Sequence, residues 1–317
     1  MSKEAFEAAR PRLLAIAYRM LGSRAEAEDV VGDVALRWTA ADRASIANPE
    51  AWLVTVTTRR TLDVLRSARL QREAYPGVWL PEPIVTGGAP DDELERVESL
   101  TMGFLVLLER LTPIERAVLV LHDALQYPYD EIAEAVGRSE DACRQALHRA
   151  RRHVAVPRRR SAAEREEAES VAQRFMATVS GGRVDELLAT LSPGIVITSD
   201  GGGIVHAAMR PVSGHERVAR YLVNLATRYG PDPLVVPCEL NGEPAVLTHG
   251  AEGWAAVTVS VEDGLVTAVH VVVNPAKLER LVASFGDVAG GRPGPWATEG
   301  RFRNRGGQSV TTVRPPG

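Results

Sequence analysis

The segment "YPYDEIAEAVGRSEDACRQALHRARRHV", residues 127–154, decides the fold of the first half of the chain. Its first part carries an apolar stripe at helical spacing that ends at Val136, and Gly137 follows as a turn residue. Ser139 is a typical N-cap residue, so a second helix starts directly after it. Two helices joined by a short turn that contains glycine predict a helix-turn-helix.

The second helix of this segment has two different faces. The inner face is small or apolar and comprises Ala142, Cys143, Ala146, Leu147 and Ala150. The outer face is polar and mainly basic and comprises Ser139, Glu140, Arg144, Gln145, His148, Arg149 and Arg152. A helix with a basic outer face fits the major groove of DNA. The preceding helix "LTPIERAVLVL", which Thr112 caps, strengthens this interpretation.

Three further helices are predicted upstream of this segment. Residues 4–38 have helical apolar spacing that is broken at Gly22 and restarted at Ser23, an N-cap with Glu26 three residues later. The third helix begins with "NPEAWL" at Asn48. One face of this third helix is charged and carries Arg59, Arg60, Asp63, Arg66 and Arg69. Two arginine-rich helices in one chain favour contacts with phosphate and guanine.

The segment "YPGVWLPEPIVTGGAP", residues 75–90, interrupts the helical pattern with four prolines and three glycines. It is apolar, whereas a flexible spacer is normally polar. We therefore expect this linker to dock on another part of the protein.

The composition changes near Pro157. Two helical patterns are followed by six β-like runs with short turns between them, which predicts an α+β domain. The last 30 or so residues are rich in Gly, Arg and Pro, and we expect them to be disordered.

The overall composition narrows the class of protein. The 317 residues carry a net charge of −4 and 45% hydrophobic residues, as in ordinary globular proteins, and no run is long enough to span a membrane. The N-terminus does not resemble a signal peptide, so we expect a cytoplasmic protein. Cys143 and Cys238 lie far apart in sequence and form no CxxC or Cys/His cluster, so the sequence supports neither a disulfide framework nor a zinc site. We expect no metal, no cofactor and no enzymatic activity.

Several motifs carry a family resemblance. The segments "AEAEDVVGDVALRW" and "NPEAWLVTVTTRRTLDVLRSAR", with the helix-turn-helix, are similar to regions 2 and 4 of extracytoplasmic-function (ECF) sigma factors. The motifs "WLPEP" (79–83), "DGGG" (200–203) and "NPAKL" (274–278) resemble the subgroup with a fused SnoaL-like domain. The subgroup usually has Asp where this chain has Ala276.

The resemblance implies a multidomain protein. Two all-α helical sigma domains, the second a helix-turn-helix, are followed by a cone-shaped α+β domain of the SnoaL-like (NTF2-like) type. The implied boundaries are 1–73 for sigma region 2, 74–98 for the linker, 99–156 for sigma region 4, 163–285 for the SnoaL-like domain and 286–317 for the tail.

The resemblance also implies partners and site residues. The partners are the RNA polymerase core, through its beta and beta-prime subunits, and promoter DNA. The residues expected to contact the polymerase are Asp29, Val30, Asp33, Leu36 and Arg37. Those expected to contact DNA are Arg59, Arg60, Arg66, Arg69, Ser139, Arg144, Gln145, His148, Arg149 and Arg152, with Arg151 on phosphate. Those expected at an interdomain regulatory surface are Trp79, Leu80, Pro81, Asp200, Gly201, Gly202, Gly203, Asn274, Pro275, Lys277 and Leu278.

The stretch "SDGGGIVHAAMRP", residues 199–211, allows several interpretations. It lacks the Lys-Ser/Thr of a phosphate-binding loop. An active site could combine Asp200, His206, Tyr221 and His270 as acids and bases, but their spacing is not diagnostic. We favour a tight turn whose glycines admit a close neighbour, and a pocket for a small-molecule ligand stays open.

The leading hypothesis is a promoter-specificity subunit of RNA polymerase, typically active in stress responses, that its C-terminal domain modulates in cis. The alternative is a one-component helix-turn-helix regulator with a ligand-sensing domain. A one-component regulator binds DNA alone, whereas we expect a sigma factor to bind promoters poorly without the core enzyme.

Overall fold

A computed structural model describes residues 2–86, 101–154, 161–182, 184–230, 233–285, 298–303 and 309–314. The chain forms two compact units. The described residues of the first, here the helical unit, fall within Met1–Ala74 and Phe104–Arg158. Those of the second, here the sheet unit, fall within Tyr75–Ala89, Thr101–Gly103 and Arg159–Gly317. The first part of the linker therefore folds with the C-terminal residues.

Three helices begin the helical unit. They are α1 (Ser2–Leu21), α2 (Arg24–Ala40) and α3 (Pro49–Glu73). The predicted caps are present, because the Ser23 hydroxyl accepts the Glu26 N–H at 3.3 Å and the Asn48 side chain accepts the Ala51 N–H at 3.2 Å. These side chains satisfy amide groups that the first turn of a helix cannot pair internally.

The helix-turn-helix forms as predicted. The helices are α4 (Met102–Leu108), α5 (Pro113–Leu119), which continues as a π-helical turn (Val120–Ala124), α6 (Tyr129–Val136) and α7 (Glu140–His153). Gly137 ends α6 with φ of 65°, a left-handed conformation that glycine adopts without steric cost. Ser139 accepts the Ala142 N–H at 3.2 Å and so starts α7.

The two halves of the helical unit pack on each other, since α3 contacts both α5 and α6. A partly buried charge network crosses this contact. Glu109 binds Arg72 at 2.7 Å and also binds Arg116, whose Nη2 donates to the Arg19 carbonyl at 3.1 Å. Burial alone would raise the pKa of Glu109, but the guanidinium groups of Arg116 and Arg72 hold this pKa below its ordinary value.

Among the described residues of the sheet unit, the chain forms a seven-stranded sheet and four helices that lie wholly within the unit. The helices are α8 (Ala162–Ser180), α9 (Val184–Leu188), α10 (His215–Arg228) and α11 (Pro275–Ser284). The strands are β1 (Val85–Thr86), β2 (Leu191–Asp200), β3 (Val212–Ser213), β4 (Leu234–Leu240), β5 (Glu243–Gly250), β6 (Gly253–Glu262) and β7 (Leu265–Val272). Their order is β1-β4-β5-β6-β7-β2-β3, and β2 and β7 are the one parallel pair in this sheet.

The two faces of this sheet have different chemistry, because successive side chains of a strand point to opposite sides. One face is apolar: Ile197, Val257 and Val269 pack in the core to which Phe175 of α8 also belongs. The opposite face carries buried polar residues, namely Thr198, Asp200, Thr258 and His270. This polar face positions the linker contacts described below.

The predicted fold class, all-α domains followed by an α+β domain, is confirmed. Within the tail for which we expected disorder, β8 (Thr298–Arg303) and β9 (Ser309–Arg314) pair antiparallel. The rest of the tail and linker residues 87–98 lie outside the described residues. In the described part of the chain, no helix combines the length and the apolar character that a membrane crossing needs.

Candidate nucleic-acid interface and linker-docking site

Asp200, at the end of β2, is the centre of a site that binds the linker. Its carboxylate is fully buried and accepts hydrogen bonds from the Tyr75 hydroxyl at 2.6 Å and the Leu80 N–H at 2.9 Å. Lys277 lies 2.7 Å from the same carboxylate and also donates to the Leu80 carbonyl. Burial and the nearby carboxylate raise the pKa of Tyr75, which keeps its hydroxyl a donor. Asp200 of "DGGG" and Lys277 of "NPAKL" thus both bind the linker backbone at Leu80.

Lys277 joins this site to the linker aromatics. Its ammonium group lies 4.1 Å from the ring centroid of Trp79 and 5.2 Å from that of Tyr75. A cation over an aromatic face is attracted by the ring quadrupole, and the attraction grows when water is excluded. Leu80 beside it is completely buried, so the predicted docking of the apolar linker is observed within the sheet unit.

The glycines of "DGGG" are required by close neighbours. Gly202 and Gly203 have φ of 64° and 72°. A Cβ atom on Gly202 would lie 2.4 Å from Asn274 Nδ2, and one on Gly203 would lie 2.6 Å from Cγ of Pro76 in the linker. The turn itself closes through the Ile204 N–H, which donates to the Gly201 carbonyl at 3.0 Å. Both the backbone conformation and the space exclude larger residues here.

Asn274 links the glycine turn, the linker and α11. Its side chain donates to the Tyr75 hydroxyl at 2.8 Å, while its Oδ1 accepts the Ala276 N–H at 3.1 Å as the N-cap of α11. Ala276 therefore contributes its backbone, and its exposed side chain leaves the cap unaffected. Of the other motif residues, Leu278 and Pro81 are buried and Pro275 is exposed.

The linker also extends the sheet. Strand β1 pairs antiparallel with β4, with Val85 opposite Leu240. Just before it, Ile84 exchanges two hydrogen bonds with Asn241, at 2.9 and 3.2 Å. Asn241 is buried and has φ of 54°, a conformation that Asn tolerates better than most residues. Backbone pairing of this kind is strand addition to a sheet edge.

Glu243 forms a second buried anchor. One carboxylate oxygen accepts the Met102 N–H, the first amide of α4, at 2.9 Å, and the other accepts the Ser260 hydroxyl at 2.6 Å. Both linker-flanking segments, 75–86 and 101–103, therefore bind buried side chains of the sheet unit. A carboxylate at a helix start also satisfies the helix dipole.

The four residues weighed as an active site do not converge. His270 Nδ1 bonds the Thr198 hydroxyl at 2.7 Å on the polar face of the sheet. Tyr221 lies 3.2 Å from the hydroxyl of Ser199, which points to the opposite face. His206 is exposed in a loop, and Asp200 is committed to the linker. Burial lowers the pKa of His270 to about 4 and keeps the imidazole neutral.

The outer face of α7 is exposed as predicted. The exposed residues are Ser139, Arg144, Gln145, His148, Arg149 and Arg152. Two of its arginines pair with acids, Arg149 with Glu115 at 2.7 Å and Arg144 with Glu140 at 3.1 Å. Arg151, expected on phosphate, makes two hydrogen bonds to Asp123 at 2.5 and 2.8 Å. The pair of Arg144 with Glu140 is exposed on both sides, so it is weak and can exchange for phosphate, whereas Glu115 and Asp123 are largely buried.

The arginines of α3 have partners of different kinds. Arg59 Nη2 donates to the Glu134 carbonyl of α6 at 2.7 Å, within the helical unit. Arg60 binds Asp33 at 2.8 Å, and Arg66 binds Asp63 at 3.1 Å on the same helix. The side chain of Arg69 lies outside the described part of the structure.

The surface expected to contact the polymerase is confined to α2. Leu36 is 72% exposed, Asp29 and Arg37 are exposed, and Asp33 is half-buried. The prediction that Val30 contacts the polymerase is corrected, because its side chain is only 1% exposed and packs in the helical core. The physical reason is its place on the inner stripe of α2, which turns its side chain away from solvent.

Sequence reasoning missed four contributors to these contacts. Tyr75 is a linker residue that binds Asp200, Asn241 binds the linker at Ile84, Glu243 binds the start of α4, and Glu109 joins two arginines in the helical unit. Asn241 lies in the turn between β4 and β5, and Glu243 is the first residue of β5; the sequence pattern predicts this segment only as a short turn between two β-like runs. Local sequence offers no signal for such contacts. Tyr75, Asn241 and Glu243 each bind the other segment across more than 120 residues of chain, whereas the contacts of Glu109 span a shorter distance in sequence.

Comparison with known proteins identifies both helical segments. Residues 5–71 match the family described as Sigma-70 region 2, and residues 102–154 match Sigma-70, region 4. The ECF RNA polymerase sigma factor SigJ of Mycobacterium tuberculosis (strain ATCC 25618 / H37Rv) is 39% identical over 294 residues, 87% of this chain and 93% of the relative. The chain belongs to the ECF RNA polymerase sigma factors.

Two further comparisons agree with this sigma-factor assignment. A probable ECF RNA polymerase sigma factor, SigI of Mycobacterium tuberculosis (strain CDC 1551 / Oshkosh), is 33% identical, covering 89% of this chain and 96% of the relative. The crystal structure of Mycobacterium tuberculosis SigJ superposes with a TM-score of 0.73 at 36% identity, covering 86% of this chain and 97% of that one.

Membership of the family defines the activity in outline. As a sigma factor the chain binds RNA polymerase core and promoter DNA, and its relatives are not enzymes. The alternative, a one-component regulator, is not the family to which this chain belongs. The matched ranges lie inside the predicted regions 1–73 and 99–156.

Proposed function

We propose that this sigma factor reads the upstream promoter element with α7. Arg144, Gln145, His148 and Arg149 face the major groove, and Arg152 contacts phosphate. The exposed basic face, opposite a buried stripe that includes Cys143 and Leu147, supports this assignment. Bidentate arginine contacts to guanine distinguish bases, whereas phosphate contacts only position the protein.

We further propose that α3 binds the downstream element and that α2 binds the polymerase. The α3 arginines Arg59, Arg60, Arg66 and Arg69 follow the backbone of the opened strand. Exposed Leu36, flanked by Arg37, supplies an apolar contact to the polymerase core, which is expected to bind through its beta and beta-prime subunits. The exposure of Leu36 supports its contact with the polymerase, because its side chain is accessible to a partner on the outer side of α2.

We also infer that the C-terminal domain modulates sigma activity in cis through the linker. The observation that carries this proposal is Asp200, a buried carboxylate that binds Tyr75, Leu80 and Lys277 together. The linker joins region 2 to region 4 covalently, so a domain that fixes the path of the linker restricts how the two regions can separate. Release of the linker would change that restriction without any change in the DNA-binding residues.

In vitro transcription with purified core polymerase tests this proposal. We compare the full-length protein with Asp200→Asn, which keeps the size of the side chain and removes its charge. Glu216→Ala is the matched control, because it removes an exposed ion pair with Arg220 in the same unit. Altered promoter output from the Asp200 variant alone supports regulation through the linker. Equal output from all three proteins rejects it.

The DNA placement has a separate test. Arg144→Ala and Arg149→Ala should each weaken use of a cognate promoter by about 1–3 kcal/mol, the usual value of a base-reading arginine. Unchanged transcription in both variants contradicts the placement of α7.

A further inference from the structure

Two aromatic rings, those of His122 and Tyr129, connect two arginines of α7, here also called the recognition helix, to residues that precede this helix. The Arg144 guanidinium lies 5.1 Å from the ring centroid of Tyr129, and the Tyr129 and His122 ring centroids lie 4.6 Å apart. His122 Nδ1 is 2.7 Å from Asp123, which accepts two hydrogen bonds from Arg151. The five side chains form one continuous series, here the arginine–aromatic ladder.

The ladder has a fixed middle and two exposed ends. Tyr129 and His122 are half-buried, so the helical unit restricts where their rings can move. Arg144 and Arg151 are exposed and lie seven residues apart, which places both on one face of α7 after two helical turns. The guanidinium groups of both arginines therefore face solvent while they contact side chains that lie outside the recognition helix.

We propose that Tyr129 is a positioning residue for promoter recognition, holding the Arg144 guanidinium in the orientation that reads a base pair. This inference rests on the proposed function, in which Arg144 faces the major groove. Stacking on a ring uses the face of a guanidinium and leaves its N–H groups free at the edge. Those edge groups bind the two acceptors of guanine.

The other contacts of Arg144 cannot serve the same purpose. Its Nη2 and Nε groups bind Glu140 at 3.1 Å and Asp141 at 3.3 Å, so these carboxylates occupy the donors that a base requires. All three side chains are exposed, and such pairs exchange readily. The contact with Tyr129 competes for no donor and persists while the base is bound. An arginine that is oriented beforehand also loses less rotamer freedom on binding.

The experiment measures base preference with the full-length protein, core polymerase and a promoter set in which each base pair of the upstream element is replaced in turn. Arg144→Ala identifies the base pair that Arg144 reads. Tyr129→Leu removes the ring, and we expect it to lower the preference at that same base pair by about two- to five-fold, as an exposed cation–π contact implies. Tyr129→Phe and Tyr129→Trp keep a ring and should retain the preference.

Gln145→Ala is the control, because Gln145 is exposed on α7 and shows no ring contact in the described structure. Its effect should add to that of Tyr129→Leu, whereas Arg144→Ala should remove any further effect of Tyr129→Leu. A preference that survives Tyr129→Leu, or one that Tyr129→Phe also loses, overturns the role of the ring. If Arg144→Ala changes no base preference, the placement of Arg144 fails instead, and the two failures are distinguishable.

Discussion

Neutralising Asp200 should release the linker. Asp200→Asn preserves the shape of the side chain but leaves the ammonium group of Lys277, only 13% exposed, without its carboxylate. The amide nitrogen of the new side chain also faces N–H and O–H donors that the carboxylate accepted from Tyr75 and Leu80. Breaking a buried ion pair by removing one partner costs about 3–5 kcal/mol. We expect the unfolding free energy of the sheet unit to fall by about this amount.

Chemical denaturation and hydrogen exchange of the Leu80 and Ile84 amides measure this loss. Both amides donate to side chains of the sheet unit, so their protection reports on linker docking directly. Lys277→Met leaves the opposite charge unpaired and should cost a similar amount. The double variant should lose less than the sum of the two, because neither unpaired charge is left behind.

Asp200→Asn with full protection of Leu80 and a loss below about 1 kcal/mol would show that the charge does not hold the linker. Additive losses in the double variant would show that Asp200 and Lys277 act independently.

Three further predictions follow from particular residues. Gly202→Ala and Gly203→Ala should each lower the melting temperature more than Gly214→Ala does. All three glycines have positive φ, but among these three only at Gly202 and Gly203 would an added Cβ lie less than 3 Å from a neighbouring atom. Equal losses of melting temperature in the three variants would contradict the steric argument. His270 has a pKa of about 4 in the folded state and 6.5 in the unfolded chain, so the unfolded chain binds more protons between these two pH values. The free energy of unfolding should therefore fall by about 3 kcal/mol as the pH falls from 6.5 to 4. Denaturation at several pH values should show this slope in the wild type and its absence in His270→Gln. Leu36→Ala should leave the melting temperature unchanged and weaken binding to core polymerase in a pull-down or titration; unchanged binding would remove Leu36 from the interface.

Much of the helical half could be predicted from the sequence, because its determinants are local. The caps at Ser23, Asn48 and Thr112 and the turn at Gly137 depend on residues within one helical turn. The basic outer face of α7 follows from helical periodicity, which also predicts its buried inner face. The apolar composition of the linker likewise predicted that it would dock, because its side chains gain by leaving water.

Tertiary structure alone decided which residues meet. Spacing along the chain could not show that Asp200 binds Tyr75 and Lys277, or that His270 and Tyr221 face opposite sides of the sheet. Val30 shows the same limit, because an apolar residue on an amphipathic helix is assigned to the core or to a partner only once the neighbouring helices are placed. Periodicity determines the face on which a side chain lies, whereas its partner depends on the path of the chain between residues that are distant in sequence, such as Tyr75 and Asp200.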